Sequence, residues 1–216
     1  MVGLFLDSAI LRCQDSFFWS PNNRLVAIIQ FLGKPKTANK MHSQLLESYK
    51  ELVETSKELL SELSEYSIEI LQKQPRAEKW SVVQIVNHLI LAESMSLGYI
   101  KKKVLAVEEL EEVGSRQNLT MNIMKLAQRS SRKFKAPAPV SQPESGSSHD
   151  DLRKDWEAVQ LALKSFLDQL PDQYVKKALY KHPFAGRLSL SQMMKVHVYH
   201  IKRHQSQIDA LLKNFQ

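Results

Sequence analysis

The sequence predicts an all-α protein: a four-helix bundle with a long crossover between its second and third helices. Three observations carry this expectation. Glycine and proline are scarce, six and eight among 216 residues, which favours long helices over many turn-linked strands. Four stretches place apolar residues at steps of three and four, the spacing of one helix face. Ser81, Ser148 and Ser189 stand where a side chain would cap the start of three of these stretches.

Residues 1–40 show no clean period and read as an irregular extension, with FFWSPNN and GKPK as turns. The pattern changes at Met41, where the predicted bundle domain, residues 41–216, begins. Leu45, Leu46, Tyr49, Leu52, Val53, Leu59, Leu60 and Leu63 form the apolar face of the first helix, of about six turns. SEYSIEILQKQPRAEK then reads as a connection broken at Pro75. The second helix opens with Ser81 and Gln84 as a capping box and continues through VVQIVNHLILAESMSLGYI. It is apolar almost all round, as a central helix should be, and is expected to reach about Glu112, with Gly114 just past its end. Residues 113–148 form the crossover, with a short amphipathic piece near 120–131 and a Pro/Ser-rich stretch, APAPVSQPESGSS, that reads as mobile. The third helix starts at His149 behind Ser148, carries Leu152, Trp156, Val159, Leu163, Phe166 and Leu170, and stops at Pro171. The fourth runs from Ser189, boxed with Gln192, to about Lys213.

A net charge of +7 invites a nucleic-acid reading, but its distribution argues against one. Residues 113–148 carry +5 and residues 1–40 carry +3, which leaves −1 for the rest of the chain. The helical body is therefore near neutral, no basic stripe follows a helix, and specific nucleic-acid binding is not expected. No apolar run approaches the roughly 20 residues needed to cross a bilayer, so no membrane partner is expected. The start, MVGLFLDSAILRCQD, lacks a basic head and is interrupted by Asp7, and so makes a poor signal peptide. The lone Cys13 has no internal disulfide partner, and the expected compartment is the cytoplasm.

The histidines carry the chemistry. Seven are present, and His88, His197, His200 and His204 fall within the second and fourth helices. The last three share the apolar stripe of Leu190, Met193, Met194, Ile201, Ile208, Leu211 and Leu212, and so point inward. A buried imidazole needs partners for its nitrogens, at a cost of about 1–3 kcal/mol for each one left unpaired. One metal ion satisfies a nitrogen of several ligands together. His200 and His204, at i and i+4, share a face and can share an ion; a third ligand must come from another helix. His88, on the second helix, can supply it, and His197 remains a rival ligand, paired with His200 at i+3 but about seven residues from His204. No Glu follows the first His, so this is not the metalloprotease H-E-x-x-H pattern. The Met193–Met194 pair, Trp80 and Tyr199 read as packing residues. Glu93 lies about 140° round the helix from His88 and is expected to pair elsewhere. No general base is evident. His182 belongs to the turn before the fourth helix, either capping that turn or lining the mouth of the site.

Two segments resemble a known family. KWSVVQIVNHL (79–89) is similar to the Trp-Ser…His-Leu segment of the DinB/YfiT-like superfamily. HPFAGRLSLSQMMKVHVYHIKRHQSQI (182–208) resembles its closing segment, a His-Pro…Gly turn leading into a helix that ends His-x-x-x-His-x-x-Gln-Ile. The resemblance spans about residues 41–216, with residues 1–40 outside it. It implies a four-helix bundle with a long second-to-third connection and a metal triad at His88, His200 and His204, with Gln207 and Ile208 completing the motif and His197 to spare. It also implies one divalent metal ion, with zinc or nickel expected, a small-molecule substrate and a homodimer. Family members are described as metal-dependent hydrolases, and some branches transfer or isomerise with a low-molecular-weight thiol. The expected function is thus a metal-dependent hydrolase or thiol S-transferase. The alternatives are a non-catalytic binding or stress module stapled by its metal, and an anion-binding helical protein driven by the basic crossover.

Overall fold

The structure, a computed structural model, describes residues 41–77, 79–105, 110–114, 120–122, 124, 143–183 and 185–215. The expected extension, residues 1–40, lies outside the described residues. Four long helices build the body: α1 (Ser43–Leu63), α3 (Val82–Leu105), α4 (His149–Asp168) and α5 (Leu190–Lys213). A short helix, α2 (Ile68–Gln72), interrupts the first connection, and a hairpin of β1 (Tyr180–His182) and β2 (Gly186–Leu188) precedes α5.

Each of the last three long helices begins where a serine binds the first turn. Ser81 Oγ accepts from Gln84 N at 3.2 Å while Gln84 Oε1 accepts from Ser81 N at 3.0 Å. Reciprocal boxes join Ser148 to Asp151 and Ser189 to Gln192. Each satisfies donors that the helix itself leaves free, worth about 1 kcal/mol. Leu45, Leu52, Leu59 and Leu63 of α1 meet Leu152, Trp156, Leu163 and Phe166 of α4 and the Met193, Met194, Ile201 and Ile208 stripe of α5 in one core. α3 is buried at Val82, Val83, Ile85, Val86, Leu89 and Ile90, the signature of a helix with several neighbours.

Side-chain bonds give the helix directions. The Ser48 and Ser191 hydroxyls lie 2.7 Å apart, and Gln205 Nε2 donates to Glu62 at 2.7 Å. Both pairs are separated by 143 residues, so α1 and α5 run parallel. His149 Nε2 donates to Leu63 O near the start of α4, and Gln160 donates to Ser56 further along, so α1 and α4 are antiparallel. Asn87 bonds Ser147, while Glu93 accepts from Trp156, so α3 and α4 are parallel. A parallel pair cannot be joined by a tight turn, which is why the chain needs its long crossover.

Two expectations are corrected. The second long helix does not reach Glu112. Helix α3 is assigned to Leu105, and Glu111–Val113 lie extended against Lys176–Ala178, with Ala178 N bonded to Glu111 O at 2.9 Å. Residues 143–148 are docked rather than loose. Asn87 Nδ2 donates to Glu144 O and Ser147 Oγ, both at 2.9 Å, and Gln72 Nε2 reaches Ser147 O at 3.4 Å. The hairpin and α2 had no strong periodic signal, being three and five residues long. Thr120–Asn122 and Met124 are helical; the remainder of the amphipathic piece at 120–131 lies outside the described residues. No helix among the described residues is long and apolar enough to cross a membrane.

Candidate metal centre

α3 and α5 lie antiparallel, with His88 facing His200 and His204 one way along the pair and Ser96 facing His197 further along. The i, i+4 spacing stacks His200 and His204 on one face of α5. His88 comes from the second turn of α3, where its ring packs against Trp80 with centroids 5.0 Å apart.

The three imidazoles converge through Nε2. His88 Nε2 is 3.2 Å from His200 Nε2, which is 3.1 Å from His204 Nε2. One ligating nitrogen from each lies within 4.8 Å of the others. Three nitrogens on a tetrahedral ion with Zn–N bonds of about 2.0–2.1 Å would be about 3.4 Å apart. Two of the distances are already close to that. His204 Nδ1–H donates to Gln207 Oε1 at 3.1 Å, one turn on, which leaves the His204 Nε2 lone pair facing its neighbours. Burial holds the His200 pKa well below the usual range, and the nearby His204 and His88 add to this. Burial likewise pulls His204 down to about 4, with His88 contributing. A metal ion needs neutral imidazoles; burial favours that form for His200 and His204, and the three Nε2 atoms converge, so the donor set fits one divalent ion. His88 is buried, and His200 and His204 keep some surface exposure.

The remaining candidates separate clearly. His197 is buried and bonds Ser96 Oγ at 3.0 Å, and it does not join the cluster. Glu93 turns to α4, where Trp156 Nε1 donates to its Oε1 at 2.9 Å. His182 does cap its turn: its Nδ1 accepts from Ala185 N at 3.0 Å, so its ring proton sits on Nε2. Burial lowers its pKa to about 4. Met193 and Met194 are core residues, 2% and 0% exposed. Sequence reasoning missed the Ser96–Tyr180 contact and the orienting bond from Gln207. Ser96 stands eight residues after His88 and thus near the same face, which was the one available signal.

A four-helix bundle whose α3 and α5 bring three imidazoles to one point belongs to a class of helical proteins able to hold one metal ion between facing helices. Within that class the chain belongs to the DinB superfamily, whose family model matches residues 51–208 and so spans all three histidines. It is similar to the uncharacterized protein YuaE of Bacillus subtilis (strain 168), with 24% identity over 161 residues covering 74% of this chain and 93% of YuaE. No solved structure matches the chain significantly.

Proposed function

We propose that this chain is a metal-dependent enzyme acting on a small molecule, with His88, His200 and His204 holding one divalent ion, zinc or nickel. The observation that carries the reading is the convergence of three Nε2 atoms from two helices. When bound, such an ion supplies Lewis acidity and lowers the pKa of water or of a thiol. The chain's own groups then have defined tasks. Gln207 sets the His204 tautomer, and the Trp80 ring shields and orients the His88 ring. The near-neutral helical body asks nothing of nucleic acid.

Two reactions suit the site: hydrolysis, and transfer of a low-molecular-weight thiol to an electrophile. The engagement of Glu93 with Trp156 favours the second, because it turns the nearest carboxyl group on α3 toward α4, away from a role as base for water. The test is to purify the protein with zinc or nickel and assay an activated ester and, separately, a small thiol with an aryl halide. Turnover of either that disappears on chelation and in His88→Ala supports the reading. A protein that retains no stoichiometric metal sinks it. A protein that keeps metal, turns over neither substrate and melts far lower after chelation would instead be a bundle stapled by its ion.

A further inference from the structure

Beyond the triad, α3 and α5 meet again at a second polar point. Ser96 lies two turns past His88, and His197 lies just under one turn before His200. Three polar atoms surround Ser96 Oγ: Ala92 O at 2.9 Å, Tyr180 Oη at 3.0 Å and His197 Nε2 at 3.0 Å. Ser96, Tyr180 and His197 are 5%, 9% and 6% exposed, so water does little to complete this set.

A serine hydroxyl has one proton and two lone pairs. The Ala92 carbonyl can only accept. The hydroxyl proton is shared between Ala92 O and Tyr180 Oη, so the third contact must take its proton from the imidazole: His197 Nε2–H donates to Ser96. The Ser96–His197 distance is that of a nucleophile and its base. The proton, however, runs from the imidazole to the serine, so the hydroxyl is saturated and not activated. The same atom joins three elements, namely α3, α5 and β1. Its α3–α5 contact fits the same antiparallel register as the contact between His88 and His204.

We propose that Ser96 is a positioning residue for the histidine triad. Its hydroxyl sets the rotation and axial position of α5 against α3, and so the separation of His88 from His200 and His204. Loss of the hydroxyl leaves the buried His197 N–H without its acceptor and Tyr180 Oη without its donor, and α5 must turn or slide to give the imidazole a partner. The inference rests on the metal-site reading for its consequence and on hydrogen-bond counting for its cause.

The experiment uses the full chain, with cobalt(II) as the probe. Ser96→Ala is expected to weaken cobalt affinity at least tenfold and to shift the visible d–d bands, which report ligand geometry. Ser96→Thr, which restores a hydroxyl, returns both toward wild type. Tyr180→Phe removes one partner of the hydroxyl and gives a smaller change in the same direction, and it serves if Ser96→Ala does not fold. Cobalt affinity and spectrum unchanged in Ser96→Ala, or in Tyr180→Phe where that is the variant used, overturn the proposal, whatever happens to the melting temperature. Nitrogen NMR of the metal-free protein is expected to show His197 as the Nε2–H tautomer. The Nδ1–H tautomer in a chain that binds cobalt normally overturns the positioning role alone. Failure of the wild-type chain to take up cobalt overturns the metal reading together with it.

Discussion

Trp156 donates its indole N–H to Glu93 Oε1 at 2.9 Å, and the other carboxyl oxygen, Oε2, is buried without a hydrogen-bond partner among the described residues. Glu93 is 4% exposed, and burial pushes its pKa up from 4.5 to about 8, against the opposing pull of the Trp156 bond. Glu93 also acts on Tyr49 of α1, whose pKa is raised by burial first and by Asp168 and Glu93 after that. The carboxyl is thus protonated at neutral pH in the folded chain and ionised in the unfolded one.

The first prediction follows from that difference. Between pH 4.5 and about 8 the native state holds a proton that the unfolded state has released, so stability falls as pH rises through this window and then levels. Glu93→Gln keeps an acceptor for Trp156 and cannot ionise, so it should flatten the slope and be more stable than wild type above pH 8. Urea midpoints at pH 5 and pH 8.5 check this; a wild-type protein whose loss of stability over this range is matched by the variant would show that Glu93 is not the group responsible.

Gln207 offers the second. Its Oε1 accepts from His204 Nδ1 at 3.1 Å, so Gln207→Leu should leave the fold intact and weaken zinc or nickel binding about 10–100-fold. Competition titration against a chromophoric chelator measures the change. Unaltered affinity would mean that the His204 tautomer is set by something else.

A third concerns the ion itself. His88→Ala, His200→Ala and His204→Ala should each lose stoichiometric metal, read by elemental analysis of the purified protein. Full one-to-one loading in any of them would remove that residue from the ligand set.

Trp80 supplies an optical check. Its ring lies 5.0 Å from the His88 ring, so nickel or copper at the triad should quench its fluorescence. Trp80→Phe should abolish most of the metal-dependent change, while the signal from Trp156 persists. Equal quenching in the variant would place the metal elsewhere.

The last prediction tests the hairpin. Gly186 has φ +71° and a Cβ there would touch nothing within 4 Å, so Gly186→Ala meets backbone strain and no clash. A loss of about 1–2 kcal/mol is expected by chemical denaturation. A neutral result would mean that the turn relaxes to another shape.

The four long helices were readable because each repeats its apolar spacing over five turns or more and three carry a serine box. The end of α3 was misplaced because Glu108–Glu112 carries helix-favouring residues, yet Glu111–Val113 find better partners in the backbone of Lys176–Ala178. Propensity there is weak, and a tertiary pairing overrode it. At the site, spacing alone left His88 and His197 in competition. The family motif favoured His88, and the helix register supplies a physical reason: His197 faces Ser96 instead. The Ser96 junction was hidden because its partners lie 84 and 101 residues away, on elements whose docking no local pattern reveals.

The parallel seating of α1 against α5 makes neighbours of the first and last helices of the described bundle. A growing chain therefore emerges with Leu45, Leu52 and Leu59 uncovered until its final segment exists to receive them. His200 and His204 ride on that same segment, so closure of the core and assembly of the triad coincide. A product cut short before Leu190 would have neither, and would present a continuous greasy stripe to proteases and to other copies of itself.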